Sequence, residues 1–536
     1  MRCITTGLRL ATLGALMVLV ACQDSQTPAT EIEMLQSNTA SPALNTVPPD
    51  PTVNDLQDLM RTGRLSAEQL VQHYLDRIAR LDADYNAVVE VNPDALRIAR
   101  ELDQERASGR ERSALHGIPV LLKDNIDTAD QMKTTAGSLA LLHMPTPASD
   151  AFVVQRLRDA GAVILGKTNL SEWANFRSTE SSSGWSARGG QTRNAYSAAH
   201  TPCGSSSGSA VAVAADLTVI AVGTETNGSI ICPASNNSVV GIKPTLGLIS
   251  RSGIIPIAIS QDTAGPMTRT VADAALSLGA MVGADPSDAI TDNDQTRSTL
   301  DYSDYLLDGS LTGKRIGVMR SLFGRNPQVD ALMEAQLDIL REAGATVVDI
   351  PLGGNNEMSA ASYQVLLYEF KDGLNRYLQS RGGFYQSLEH IIRFNEVNER
   401  LQMPWFGQEI FLQAQAKGNL DEPAYHNALR LAKNTAQELL NEALSADNLD
   451  AIVAPSNGPG WLIDLENGDN GASVNYVSSS GLAAISGYPS ITVPAGYVNG
   501  QPVGISFMGQ AFSEPLLISI AHDYERLSAA RESARR

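Results

Sequence analysis

From Cys203 to Pro233 the chain reads CGSSSGSAVAVAADLTVIAVGTETNGSIICP. Two clusters of small polar residues, Gly204-Ser205-Ser206-Ser207-Gly208-Ser209 and Thr226-Asn227-Gly228-Ser229, bracket an alanine- and valine-rich segment. Glycine and serine gather at this density where a backbone must approach another group closely or offer it N–H groups. The order predicts a loop, a small-residue helix, a strand and a second loop.

Working outward, the flanks read as alternating strands and helices. Upstream, Ser66 is an N-cap with Gln69 as its capping-box partner, Leu65 and Leu70 form a hydrophobic staple, and Leu70, Tyr74, Ile78 and Leu81 recur at helical spacing. A second helix is expected from Pro93 to about Ala107, then a buried strand within Gly117–Asp124. A helix over 152–160 and a strand over 163–165 follow. Downstream, strands are expected at 315–319, 346–350, 451–454, 490–493 and 503–507, with helices at 329–343 and 515–527. Residues 355–447 are helical in pattern and rich in large side chains, which predicts a helical cap. This alternation predicts the α/β class: a large mixed β-sheet core covered by helices on both faces. No linker interrupts residues 53–527, so they form one domain, followed by a tail over 528–536.

Composition bounds the partners. With 43% hydrophobic and 18% charged residues the chain is globular, and a formal charge of −19 argues against nucleic acid and anionic lipid as partners. Arg2 and Arg9 precede an apolar run, Leu10 to Ala21, that is too short to span a bilayer comfortably. Residues 1–21 are therefore expected to be a signal peptide, whose loss removes two positive charges. The run ends Leu19-Val20-Ala21-Cys22, which resembles a bacterial lipoprotein box and implies lipidation at Cys22. An ordinary secretory signal with an incidental Cys22 is the alternative. Gln23 replaces the Asp of inner-membrane retention, so the expected location is periplasmic, anchored by preference to the outer membrane. Residues 22–52, rich in Ser, Thr, Pro and Asn, read as a flexible tether. Beyond the signal and Cys22, only Cys203 and Cys232 remain, and two buried free thiols are expected. No Cys or His spacing suggests a metal site.

Two motif matches fail on context. Gly161-Ala-Val-Ile-Leu-Gly-Lys-Thr168 satisfies the P-loop pattern, yet its variable positions look like the strand itself. Gly204-x-Ser206-x-Gly208 fits a nucleophile elbow, but the upstream AYSAAHTPC is no apolar strand. A Ser206 esterase or hydrolase with His426 or His522 stands as the alternative mechanism. A non-catalytic binding lipoprotein is the alternative of another class.

A third constellation joins Lys123, Ser205 and Ser229. A lone lysine beside Asp124 would ordinarily be ion-paired, but its company argues otherwise. GIPVLLKDNI, GAVILGKTNLSEWA, CGSSSGSAVAVAA, GTETNGSI and GIKPTLGLIS follow in order, with GYPSITVPAG and PVGISFMG near the C-terminus. This array resembles the amidase signature family over roughly residues 53–527. NLSEWANFRS, GWSARGGQ and GTETNGSI make it most similar to the bacterial peptide amidases. The resemblance implies hydrolysis of a carboxamide, either a C-terminal peptide amide or another small amide, without metal or cofactor. It assigns Lys123 as the catalytic lysine and Ser229 as the nucleophile. Between them stands Ser205, a bridging serine preceded by a cis peptide bond. The backbone amides of Thr226, Asn227, Gly228 and Ser229 are the oxyanion hole. The family also includes the amidotransferase subunit that acts on mischarged tRNA, which export and net charge exclude here.

The residue chemistry agrees with that assignment. Neither cluster holds a histidine, so Ser229 needs another base, and lysine serves only as the neutral amine. At an ordinary pKa that form is under about 0.1% of the population at pH 7. Placing Lys123 at the end of an apolar strand supplies the desolvation that lowers its pKa. One position departs from the family: the peptide amidases carry Asp-Gly-Ser where this chain has Asn227-Gly228-Ser229. Asn227 is a substrate-binding candidate for that reason, with Trp173 and Phe176 as aromatic ones. The oligomeric state is not legible.

Overall fold

Strand residues for one sheet come from nearly the whole length of the chain. The computed structural model describes residues 47–298, 300–469 and 477–534. The signal peptide, Cys22 and the tether as far as residue 46 lie outside the described residues, as do residues 535 and 536 of the tail. In chain order the strands are β1 (Val88–Val91), β2 (Pro119–Lys123), β3 (Val163–Thr168), β4 (Trp185–Ser186), β5 (Gly190–Gln191), β6 (Ile220–Glu225), β7 (Val240–Lys243), β8 (Thr263–Thr268), β9 (Arg315–Met319), β10 (Thr346–Ile350), β11 (Ala451–Pro455), β12 (Ser490–Val498) and β13 (Gln501–Met508). Eleven of them form one sheet in the order β1-β3-β2-β6-β8-β7-β12-β13-β11-β9-β10, and β4 with β5 makes a separate ribbon. The sheet is mixed. β3, β2 and β6 run parallel, as do β11, β9 and β10, with antiparallel pairs between the two groups.

Central strands buried on both faces need continuous apolar sequence, and β2 and β6 are fully buried along their length. The capping box at Ser66 forms as expected, with Ser66 accepting from Gln69 N–H and Gln69 accepting in return, and the helix runs Ala67–Tyr85. The P-loop match falls on β3 and the two residues before it, so its Lys167 and Thr168 lie within the strand and not at a loop that opens a helix. Helices Asn356–Arg381, Leu388–Val397, Glu399–Gln402, Glu409–Gln415 and Pro423–Ala446 make up the cap, and Phe370 and Phe411 centre an aromatic cluster shared with Trp173 and Phe176 from outside it.

β8 has no counterpart in the sequence reading. Its sequence, Thr-Ala-Gly-Pro-Met-Thr, contains the residues that ordinarily argue against a strand. It nonetheless lies inside the sheet, antiparallel to both β6 and β7, with Pro266 opposite Val222.

Candidate active site

β2 and β6 are neighbouring parallel strands, and the site forms where both end. Registering Leu122 against Val222 puts Lys123, the last residue of β2, beside Thr224. Lys123 is fully buried, and its Nζ has three oxygen neighbours: Ser205 Oγ at 2.7 Å, Thr224 Oγ1 at 2.9 Å and the Thr224 carbonyl at 3.1 Å. A neutral amine has two N–H groups and one lone pair. Thr224 can accept both hydrogens, which leaves the lone pair for the Ser205 hydroxyl. Burial pushes the Lys123 pKa down to about 7 against the opposing pull of Asp262 and Glu225. Asp124, the ion-pair partner a lone lysine would have, is instead paired with Arg188 at 2.9 Å.

Ser205 follows the cis Gly204–Ser205 bond and precedes the helix Ser207–Ala214. The small residues of that helix let it press onto the sheet: a Cβ on Gly208 would meet the carbonyl of Ala87 at 2.3 Å. Ser206 faces away from chemistry. Its Oγ donates to the Thr224 carbonyl at 3.0 Å and accepts from the Thr224 N–H at 3.1 Å, clamping the helix start to β6. Its proposed histidines are elsewhere: exposed His426 sits tilted beside Tyr425, and His522 lies 3.8 Å from Asp308. Without a histidine in reach, the elbow mechanism has no base at Ser206.

Beyond β6 the chain turns through Thr226-Asn227-Gly228-Ser229 into the short helix Ile231–Asn236. Gly228 adopts a φ of +81°, open to glycine at no steric cost. Glu225 accepts from the N–H groups of Ile230 at 2.7 Å and Ile231 at 3.0 Å, which holds the turn in shape. The backbone N–H groups of residues 226–229 donate to no group among the described residues. The Ser229 carbonyl accepts from Ser206 N–H at 3.1 Å, which links the two serine loops. No hydrogen bond joins the Ser229 and Ser205 hydroxyls among the described residues. Contacts of this kind commonly tighten only when substrate is bound.

Two findings correct the sequence reading. Cys203 and Cys232 are a disulfide with a Cα–Cα separation of 5.9 Å, where free thiols were expected. The two loops converge on one site, and the cysteines at their outer ends are brought together with them. Trp173 does not reach the site: only 2% exposed, it packs edge-on against Phe411 in the cap cluster. Phe176 does border a cavity of about 650 Å³, together with Gly204, Asn227, Ser229, Leu366 and Asp469. Asn227 is exposed there, and its Oδ1 accepts from Ser480 at 2.9 Å. A second cavity of about 500 Å³ lies behind Ala174, Thr226 and Ile257, which line both. Thr224, Glu225 and Asp262 were not singled out from the sequence. Acids flanking short buried strands were the available signal.

Comparison with known proteins agrees with this architecture. The amidase family profile matches residues 69–518. A probable amidase from Arabidopsis thaliana is 42% identical over 498 residues, covering 90% of each chain. The native peptide amidase from Stenotrophomonas maltophilia superposes with a TM-score of 0.85 at 49% identity, covering 91% of this chain and 99% of its own. A peptide amidase in complex with the competitive inhibitor chymostatin gives a TM-score of 0.87 at 50% identity, covering 91% and 99%. The chain belongs to the amidase signature family and is an amidase.

Proposed function

We propose that this amidase hydrolyses the C-terminal carboxamide of peptides, or small amides of similar shape, through an acyl-enzyme on Ser229. The observation that carries the mechanism is the fully buried Lys123, its Nζ 2.7 Å from Ser205 Oγ, beside a turn whose amides donate to no group among the described residues. Ser229 Oγ attacks the carbonyl carbon while its proton passes through Ser205 to the neutral Lys123 amine. The tetrahedral oxyanion sits on the 226–229 amides, each such donor being worth about 2.7–4 kcal/mol of barrier. The C–N bond then breaks, Lys123 returns the proton through Ser205 to the departing nitrogen, and ammonia or an amine leaves. Water attacks the ester and releases the acid. The likeness to the peptide amidases supports the peptide reading, and Phe176 and Asn227 at the cavity wall are the proposed substrate contacts. Asn in place of Asp at 227 removes a charge from that wall.

An ammonia-release screen across amides of graded acyl size, run on the parent and on Lys123→Ala, Ser205→Ala and Ser229→Ala, tests this reading. Peptide amides should be among the best substrates, and each variant should be inactive. Full activity in Ser229→Ala would refute the mechanism. The apolar run ending at Cys22 supports a further element of the proposal: an exported, lipid-anchored, periplasm-facing enzyme.

A further inference from the structure

The turn immediately before β8 grips the nucleophile loop at one residue from two sides. Asp262 Oδ1 accepts from Thr226 Oγ1 at 2.5 Å, and Gln261 Nε2 donates to the Thr226 carbonyl at 3.2 Å. The turn is itself fixed. Asp262 Oδ2 accepts from the N–H groups of Ile257 and Ala258, both at 2.8 Å. Gln261 Oε1 accepts from Ser362 at 2.7 Å, and Ser260 donates twice to Glu369 at 2.9 Å, both partners lying on the cap helix Asn356–Arg381. Thr226 opens the turn that ends in Ser229, so its placement sets where the oxyanion amides stand.

We propose that Asp262 is a positioning residue for amide hydrolysis, bracing Thr226 against the cap and setting the field in which Lys123 exchanges its proton. The inference rests on the reading of Lys123 as base and Ser229 as nucleophile. Three donors converge on the Asp262 carboxylate and favour its anion, while burial raises its pKa to about 6, so the charge is present at pH 7 where Lys123 titrates. Its charge favours the ammonium form of Lys123, opposing the desolvation of that buried side chain. The other acid acting on Lys123 is Glu225 at the end of β6. The neighbours that hydrogen-bond Lys123, Ser205 and Thr224, are uncharged. Glu369, from the cap helix, is the acid acting on Asp262 itself.

Asp262→Asn keeps the shape and removes the charge. Its amide oxygen can still accept from Ile257 and Ala258, and its NH2 then faces Thr226 Oγ1, which weakens the brace by replacing a charge-assisted hydrogen bond with a neutral one. The pH profile of kcat/KM should show its acidic limb moved to lower pH by about one unit. In the same variant kcat should fall on the order of tenfold or more with KM nearly constant, as a misplaced oxyanion turn requires. Thr226→Val removes the brace and leaves the charge, so kcat should fall with the limb in place. An Asp262→Asn limb that stays in place overturns the proposal, because a merely structural residue loses activity without moving a titration. If Asp262→Asn does not fold, parental kcat in Thr226→Val overturns it. Lys123→Ala assayed alongside separates the two levels: activity there refutes the mechanism itself, whereas an inactive Lys123→Ala with an unmoved Asp262→Asn limb refutes only this inference.

Discussion

Lys123 has the hydrogen-bond surroundings of an amine and the burial of a leucine, and two pH dependences follow. The amine must be neutral to take the Ser229 proton, and its pKa stands at about 7. Activity on an uncharged amide should therefore fall about tenfold per unit below pH 7 and level off above it, read as kcat/KM against pH. Stability carries the same signature with a definite sign. The unfolded chain binds the lysine proton up to an ordinary pKa near 10.5, the folded one only below about 7, so folding is disfavoured by protons between those values. The parent should gain stability relative to Lys123→Met as pH rises from 7 to 10, measured by denaturant unfolding of both. A flat difference would show that Lys123 is not desolvated.

The two serine loops act as one element because they are tied at several points. Ser206 clamps Thr224, the Ser229 carbonyl receives Ser206, and the Cys203–Cys232 disulfide closes the outside. A cross-link spanning 29 residues restricts the unfolded chain, which in the loop-entropy account is worth about 2–4 kcal/mol. The Cys203→Ser, Cys232→Ser double variant should unfold at correspondingly lower denaturant, with reductant having little further effect on it. Legibility divides at this scale. β9 and β10 matched their expected bounds because their runs of apolar, β-branched residues end at clear breaks. β8 hid behind Gly265 and Pro266. The disulfide hid for another reason: sequence gives the 29-residue separation but not the direction of either Cβ. The proximity of Lys123 and Ser205 was legible only from motifs in a fixed order, since 82 residues separate them. Asp262 carried no motif, since its role is set by the turn that faces Thr226.

At the scale of the whole molecule, the site sits where the parallel strands β2 and β6, third and fourth in an eleven-stranded sheet, end, with the helical cap beside it. That placement joins a rigid floor to a cap whose cavity-lining residues include Phe176's neighbour Leu366. The fold class was legible from alternation alone. The cap's internal packing was not, because an aromatic such as Trp173, which taken singly reads first as core, stays a pocket candidate until Phe411 is seen against it. Anchoring belongs to this scale as well. In a bacterial host the full chain should incorporate labelled palmitate and fractionate with membranes, and Cys22→Ala should do neither. A palmitate-free, membrane-free parent would contradict the anchor and leave the chemistry untouched.

The acyl-enzyme is the centre of the account, and active-site labelling reaches it most directly. Treatment with a fluorophosphonate, followed by proteolysis and mass spectrometry, should place one adduct on Ser229. It should be absent from Ser229→Ala and strongly slowed in Lys123→Ala. An adduct on Ser206, or labelling that proceeds at the parental rate without Lys123, would contradict it.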